Sequence, residues 1–157
     1  MVLLEQEVQK QADCNKTTGI IVQLPVLDQK GIPIKHAHHK AMDYLRKQNI
    51  LVKDVDGMHP CSEVLYRFRD IKPNPYNLSC TPLAVLKMVK HYNIDITHKH
   101  AVIVGRSSIV GLPLINGFLE DHYKMTLTSP HITDPDLSRH TKKADLIIVA
   151  AGQESLI

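Results

Sequence analysis

The sequence predicts an α/β fold built on a parallel sheet. Three observations predict it. Short apolar runs at 100–104, 125–128 and 145–150 alternate with helix-patterned segments at about 110–121 and near 134–142. These runs are near-continuous rather than alternating, as expected of strands buried on both faces of a parallel sheet. The first run, "HAVIV", passes directly into a glycine-bounded turn, "GRSSIVGLP", the arrangement that points backbone N–H groups and a helix N-terminus at an anion.

In chain order, residues 2–13 carry Val2, Leu3, Leu4, Val8 and Ala12 at loosely helical spacing. "TGIIVQLP" (18–25) reads as a short buried strand, β-branched in its middle and stopped by Pro25. Residues 36–48 place Ala37, Ala41, Tyr44 and Leu45 on one helical face. "KDVDGMHP" (53–60) is a loop with an Asp56-Gly57 turn, its Lys53 and Asp54 read as a solvated edge. Residues 61–80 are mixed and end in the extended connection "IKPNPYNLSC". "TPLAVLKMVKHYNI" (81–94) reads as a helix with Thr81 as N-cap and Pro82 at its first position. Val85, Leu86, Val89 and Tyr92 form its apolar face, and Asn93 is its stop. Leu146 to Val149 read as core strand. A boundary near 78–98 divides the chain into parts 1–80 and 81–157.

Bulk properties narrow the function classes. Apolar residues make up 43% of the 157 and charged residues 22%, which suits one folded domain or two small ones. A net charge of +3 is too weak to indicate nucleic acid. Cys14, Cys61 and Cys80 have neither metal-ligand spacing nor the count of a disulfide framework, so a reducing, cytoplasmic setting is expected. No apolar stretch reads as a membrane span or signal peptide, and no membrane partner is expected. The H-x-H-H group of His36, His38 and His39 lacks a further ligand and reads as a solvated helix start, so no metal is expected. His98 and His100 read as surface residues, and His59 as no more than a neighbour of the substrate site.

In the glycine turn, Gly105 ends the strand and Gly111 and Gly117 lie on the following helix, where they permit close packing. The pattern is weaker than G-x-G-x-x-G, and an ordinary strand-to-helix turn is the alternative reading. Dinucleotide sheets that hold a plain ribose place a carboxylate about twenty residues past the glycines. The corresponding exit, "MTLTSPHIT", has none, and Arg106 stands in the turn. A guanidinium matches phosphate geometry, so a ribose 2′-phosphate is favoured and the coenzyme leans to NADP over NAD. The alternative for Arg106 is a solvated turn residue.

Five blocks occur together and in order: "GIIVQLP" (19–25), "KDVDGMHP" (53–60), "CTPLAVLKM" (80–88), "HAVIVGRSSIVGLP" (100–113) and "ADLIIVAAGQ" (144–153). The set resembles the bifunctional methylenetetrahydrofolate dehydrogenase/cyclohydrolase family. The resemblance implies a Rossmann-type cofactor domain (81–157) and part of an N-terminal α/β folate-binding domain (1–80), with a folate cleft between them. It implies NADP-dependent oxidation of 5,10-methylenetetrahydrofolate, hydrolysis of the methenyl product to 10-formyltetrahydrofolate, a role in one-carbon supply to purine biosynthesis, and a homodimer formed through the cofactor domain. Val22, Gln23, Leu24 and Pro25 match the folate-cleft strand, where Gln23 positions the one-carbon centre. Asp56, followed by Gly57, matches the carboxylate that holds the pterin ring, and Cys80, Thr81 and Pro82 match a cleft edge. Gly105, Arg106, Ser107, Val110, Gly111 and Pro113 match the cofactor turn, with His131, Thr133, Ala151 and Gly152 at later strand exits.

Departures qualify this. The family's catalytic lysine stands in a Y-x-x-x-K motif ahead of the "VQLP" strand, and no such motif occurs here. Ser79 and Ala84 replace the family's proline and glycine around C-T-P, "HIT" replaces H-S-x-T, and Met58 takes a place often held by phenylalanine. The family's final glycine-rich loop and helix are not in the sequence. The alternative is a catalytically impaired fragment or degenerate copy that retains nucleotide or folate binding, or pairs with a full-length relative.

Overall fold

A computed structural model describes residues 2–35, 37–48, 50–67, 76–119 and 123–157. His36, Glu120 and Asp121 lie outside the described residues, as does the end of the helix expected over 110–121. The chain forms two compact units, Met1–Ser79 and Cys80–Ile157. No described helix is long and apolar enough to cross a membrane.

In the N-terminal unit, α1 (Val2–Asp13) packs on α2 (Ala37–Lys47). Val8 and Ala12 meet Ala41, Met42 and Leu45, and Ile20 and Leu51 complete the buried cluster. Each large side chain buried this way contributes about 1.5–3 kcal/mol. Residues 18–25 are not a strand. They pair at one point, Ile20 with Asp54 in parallel sense, where Ile20 N–H donates to the Lys53 carbonyl at 2.7 Å. β-branched residues keep the segment extended, but a ladder needs a neighbour of equal reach. Here the neighbouring chain turns through a 3₁₀ helix at Leu51–Lys53 and a tight loop.

Lys53 and Asp54 are not a solvated edge. Lys53 Nζ donates to the carbonyls of Ala12 at 2.6 Å and Cys14 at 3.3 Å, at the end of α1 where helix carbonyls lack partners. Lys53→Met is expected to lower the unit's stability by about 1–2 kcal/mol, read as a shift in urea midpoint at unchanged slope. Asp54 is 1% exposed. It accepts Ser62 Oγ–H at 2.6 Å and the N–H groups of His59 at 3.0 Å and Met58 at 3.3 Å. It thereby anchors the start of α3 (Pro60–Arg67), a helix within the stretch that the sequence pattern leaves mixed.

His59 is buried behind this carboxylate, its Nδ1 accepting the Cys61 N–H at 3.1 Å. Burial holds its pKa below the ordinary imidazole value, while Asp54 and Asp43 pull weakly the other way. As pH falls, the unfolded chain therefore takes up this proton first. The stability due to neutral His59 is fully present above the ordinary imidazole range and is lost as pH drops below about 6.5. Urea midpoints are expected to fall from neutral pH to about pH 5 in the wild type and to fall less steeply in His59→Gln.

In the C-terminal unit, α4 (Cys80–His91) starts one residue before the expected cap. Thr81 and Pro82 therefore sit inside its first turn, where a missing proline N–H costs nothing. Its end matches the sequence reading. Asn93 adopts φ 50°, and the N–H groups of Ile94 and Asn93 close back on Val89 and Lys90 carbonyls at 3.0 and 3.2 Å. Leu86 and Val89 are buried, whereas Tyr92 is exposed.

Strand β1 (His100–Val104) pairs in parallel with β2 (Thr126–Thr128) on one side and β3 (Leu146–Val149) on the other, in the order β2-β1-β3. Helix α5 (Gly111–Phe118) connects β1 to β2, and the short α6 (Ser138–Thr141) precedes β3. The core is Ala101 to Val104 with Leu114, Phe118, Leu86, Val89 and Ile96. Gly117 lets α5 lie close on α4, since a Cβ there would stand 2.6 Å from Leu86 Cδ1. Strand β3 is not covered on both faces: Ile147 and Val149 are 41% and 48% exposed. The helix expected near 134–142 spans only Ser138–Thr141. Asp134 and Asp136 side chains accept the Asp136 and Arg139 N–H groups at 3.0 and 3.1 Å, holding 134–137 in turns instead. His100, expected at the surface, is half-buried and joins Thr128 Oγ1 at 2.8 Å and the Lys143 carbonyl at 3.1 Å, tying strand ends together.

Candidate functional site

The chain leaves β1, steps to β2 on one side, and returns to β3 on the other. Strand order thus reverses at β1, and the crevice beyond the carboxyl ends of such strands is where α/β sheets bind ligands. Gly105 follows β1, Ser129 follows β2 and Ala150 follows β3. Gly105 N–H donates to the Pro130 carbonyl at 3.3 Å, and Ala150 N–H to the Val104 carbonyl at 2.8 Å, so the exits are tied together.

Two glycines make the turn possible. Gly105 has φ 101°, and a Cβ there would lie 2.5 Å from the Ala150 carbonyl oxygen. At Gly111 a Cβ would run into the Gly105 carbonyl oxygen and lie 3.0 Å from Arg106 Cα. Ser107 shapes the entry to α5, its Oγ accepting the Val110 N–H at 3.3 Å and its carbonyl accepting the Leu112 N–H at 2.9 Å. Val110, at the cap position, supplies no side-chain cap, and Pro113 is buried behind it. With the Val110 and Leu112 N–H groups taken by Ser107 and no N–H at Pro113, the Gly111 N–H is the first-turn donor left for an anion among the described residues.

Arg106 is exposed and has no hydrogen bond or ion pair among the described residues. It borders a cavity of about 440 Å³ that reaches to the exit of β2. His131 and Thr133 line the same cavity, joined Nδ1 to Oγ1 at 2.7 Å. Ala151 is half-buried and Gly152 exposed beyond β3, with open space around Gly152. The sequence reading missed Ser129, Asp134, Arg139 and His140, which also line the cavity. Its statement that the strand exit lacks a carboxylate holds only through Thr133. The next residue, Asp134, faces the cleft, and D-P-D in "HITDPDLSRH" was the available signal. The Asp136 N–H holds the Asp134 carboxyl below the usual range, helped by His140 and Arg139. Ser138 and the Arg139 N–H do the same for Asp136.

Two features test whether a dinucleotide fits. The backbone at Gly105 and Gly111 forms a cradle that any Cβ would fill. Ser129 lines the same cavity, and its buried Oγ has no hydrogen-bond partner among the described residues. Both suit a polar ligand there. Ser129→Ala is expected to leave the melting temperature unchanged or slightly higher and to weaken nucleotide binding about fivefold, as measured by calorimetry.

In the N-terminal unit, Gln23 is exposed and its Nε2 donates to the Leu24 carbonyl at 3.0 Å. Val22 and Leu24 are half-buried, Pro25 is exposed, and the Leu24-Pro25 peptide is cis. Asp56 is half-buried on a turn whose next residue, Gly57, has φ 62°. A Cβ on Gly57 would strike the Asn77 carbonyl oxygen, and Asn77 Nδ2 donates to the Asp54 carbonyl at 3.3 Å, so the turn is held from behind. The Ile20–Asp54 bridge brings the two segments alongside each other. Cys80 and Thr81 are exposed and Pro82 buried in the first turn of α4. Among the described residues no group of three or more His, Cys, Asp or Glu is placed to hold a metal ion.

Residues 79–157 match the family model described as tetrahydrofolate dehydrogenase/cyclohydrolase, NAD(P)-binding domain. The chain is 40% identical over 139 residues to the bifunctional protein FolD of Campylobacter jejuni, covering 88% of this chain and 44% of that protein. FolD of Geobacillus thermodenitrificans is equally similar, at 40% over 139 residues, 88% of this chain and 43% of that one. The chain therefore spans less than half the length of these relatives. The crystal structure of the Campylobacter jejuni bifunctional enzyme superposes with a TM-score of 0.76 at 38% identity, over 96% of this chain and 48% of that one. That of Trypanosoma brucei FolD, complexed with NADP cofactor and inhibitor, superposes with a TM-score of 0.79 at 26% identity, over 99% and 48%.

Proposed function

Because the chain belongs to the tetrahydrofolate dehydrogenase/cyclohydrolase family, we propose that its C-terminal unit binds NADP and serves oxidation of 5,10-methylenetetrahydrofolate. The observation that carries this reading is the turn from Gly105 to Gly111, where bare backbone meets Arg106, which has no partner among the described residues, at the end of the central strand. NADP, when bound, would supply the hydride acceptor for this oxidation. Gly105 and Gly111 admit the pyrophosphate against the start of α5, and Arg106 takes the ribose 2′-phosphate. Asp56 accepts hydrogen bonds from the pterin amino group and the adjacent ring N–H. Gln23 positions the reacting carbon. Cys80, Thr81 and Pro82 edge the substrate site, and His131, Thr133, Ala151 and Gly152 border the coenzyme. Pairing of two copies through the C-terminal unit belongs to the same reading.

Hydrolysis of the methenyl product is the family's second reaction. The 157 residues contain no Y-x-x-x-K lysine, and a positioned acid or base contributes about 10²–10⁴-fold. The second reading is that this chain binds nucleotide and folate with little or no turnover. One experiment separates the two: mix the purified chain with NADP and 5,10-methylenetetrahydrofolate and follow the absorbance of reduced coenzyme. Turnover establishes the dehydrogenase reading; NADP binding without turnover establishes the second; binding of neither ligand overturns both.

A further inference from the structure

A carboxylate past the glycines ordinarily reads the ribose diol and repels a 2′-phosphate. Asp134 borders the same cavity as Arg106, yet its oxygens are already engaged. Oδ1 accepts the Asp136 N–H at 3.0 Å, and Oδ2 lies 3.2 Å from His140 Nε2 and 3.6 Å from an Arg139 terminal nitrogen. Arg139 donates Nε–H to His140 Nε2 at 3.1 Å. That imidazole nitrogen has one lone pair or one proton, so it serves Arg139 or Asp134 but not both at once. Arg139 is therefore tethered rather than locked. At 3.6 Å the ion pair is too long for a hydrogen bond, and the terminal N–H groups of Arg139 have no hydrogen-bonded acceptor among the described residues. The side chain is 63% exposed at the cavity edge. Asp136 Oδ1 accepts Ser138 Oγ–H at 2.7 Å and the Arg139 N–H at 3.1 Å, which fixes the backbone that Arg139 and His140 project from.

We propose that Arg139 is a second ligand, with Arg106, for the ribose 2′-phosphate, and that Asp134 is a positioning residue that presents Arg139 rather than a reader of the ribose hydroxyls. The proposal rests on the NADP reading above. A dianionic phosphate has oxygens enough for two guanidinium forks, and the Arg139 charge stays beside Asp134, 3.6 Å from Oδ2. Selectivity between the two coenzymes then comes from α6 as well as from the glycine turn.

The test is calorimetric titration of the whole chain with adenosine 2′,5′-bisphosphate and with adenosine 5′-monophosphate, which differ only in the 2′-phosphate. Wild type is expected to favour the bisphosphate. Arg139→Gln should weaken bisphosphate binding about twentyfold and change monophosphate binding by no more than about twofold, with Arg139→Lys recovering part of the loss. Asp134→Asn should cut the preference about three- to fivefold, since the guanidinium loses its tether. Circular dichroism melts establish that each variant is folded. If Arg139→Gln weakens both nucleotides equally, or neither, while wild type still prefers the bisphosphate, the proposal fails and the coenzyme reading stands. A gain in bisphosphate affinity in Asp134→Asn would show that the carboxylate repels the phosphate, overturning its positioning role. If wild type binds neither nucleotide, the coenzyme reading falls and this proposal with it.

Discussion

Asp54→Ala is expected to bring the N-terminal unit to the edge of unfolding. The carboxylate is 1% exposed and is the shared acceptor for Ser62 Oγ–H and the Met58 and His59 N–H groups. Alanine strands these donors in a site closed to water. Each buried donor left without an acceptor costs about 1–3 kcal/mol, and partial relaxation brings the expected total to about 4–5 kcal/mol. Small domains have only about 5–15 kcal/mol to lose, and a unit the size of Met1–Ser79 belongs near the lower end. The loss also reaches the turn that carries Asp56, because the Asp54 carbonyl holds Asn77 and the Asp54 backbone leads into that turn. Two further variants fix the cause. Ser62→Ala removes one donor and leaves the others served, at about 1 kcal/mol. Asp54→Asn keeps the shape but sets an NH₂ against a donor, at an intermediate cost. Urea midpoints should therefore fall in the order Ser62→Ala, Asp54→Asn, Asp54→Ala. An Asp54→Ala protein within about 0.5 kcal/mol of wild type would show that the carboxylate network does not hold α3.

This network marks the limit of what sequence pattern could reveal. An aspartate in K-D-V-D-G reads as solvated because charged residues usually are. Its burial is decided by donors at 58, 59 and 62 that arrive only once the chain has turned back. Lys53 is hidden from sequence pattern for the same reason, since its partners are carbonyls at the end of α1, about forty residues earlier in the chain. The segment 18–25 had the composition of a strand, and composition cannot say whether a neighbouring run exists to pair with it. By contrast, β1, its parallel partners and the Asn93 stop were legible. The signals are local: an unbroken apolar run in β1 and β3, a glycine at the end of β1, an asparagine able to adopt positive φ. The proposed coenzyme site divides along the same line. Its turn lies in one contiguous stretch and could be read directly. Ser129, Asp134, Arg139 and His140 join it only because the chain crosses back over β1.

Gly105→Ala and Gly111→Ala are expected to abolish measurable NADP binding, for two different physical reasons. At Gly105 the backbone φ of 101° lies outside what an L side chain tolerates, and the added Cβ would meet the Ala150 carbonyl oxygen at 2.5 Å. Strain and collision together are expected to cost about 3–4 kcal/mol of stability in the C-terminal unit. At Gly111 no unusual dihedral is involved. The Cβ would run into the Gly105 carbonyl, with the Gly105 carbonyl carbon at 2.8 Å and Arg106 Cα at 3.0 Å. These are backbone atoms that cannot rotate aside, so the turn itself must open and carry Arg106 with it. Gly111→Ala should therefore lose affinity for NADP by at least about a hundredfold while costing less in stability than Gly105→Ala. Gly152→Ala is the discriminating control, since a Cβ there meets nothing within 4 Å. Its melting temperature should match wild type, so any loss of coenzyme affinity it shows reports ligand contact alone. Calorimetric titration with NADP alongside thermal melts reads all three variants. A Gly111→Ala protein that binds NADP like wild type would mean that the coenzyme does not lie against the start of α5.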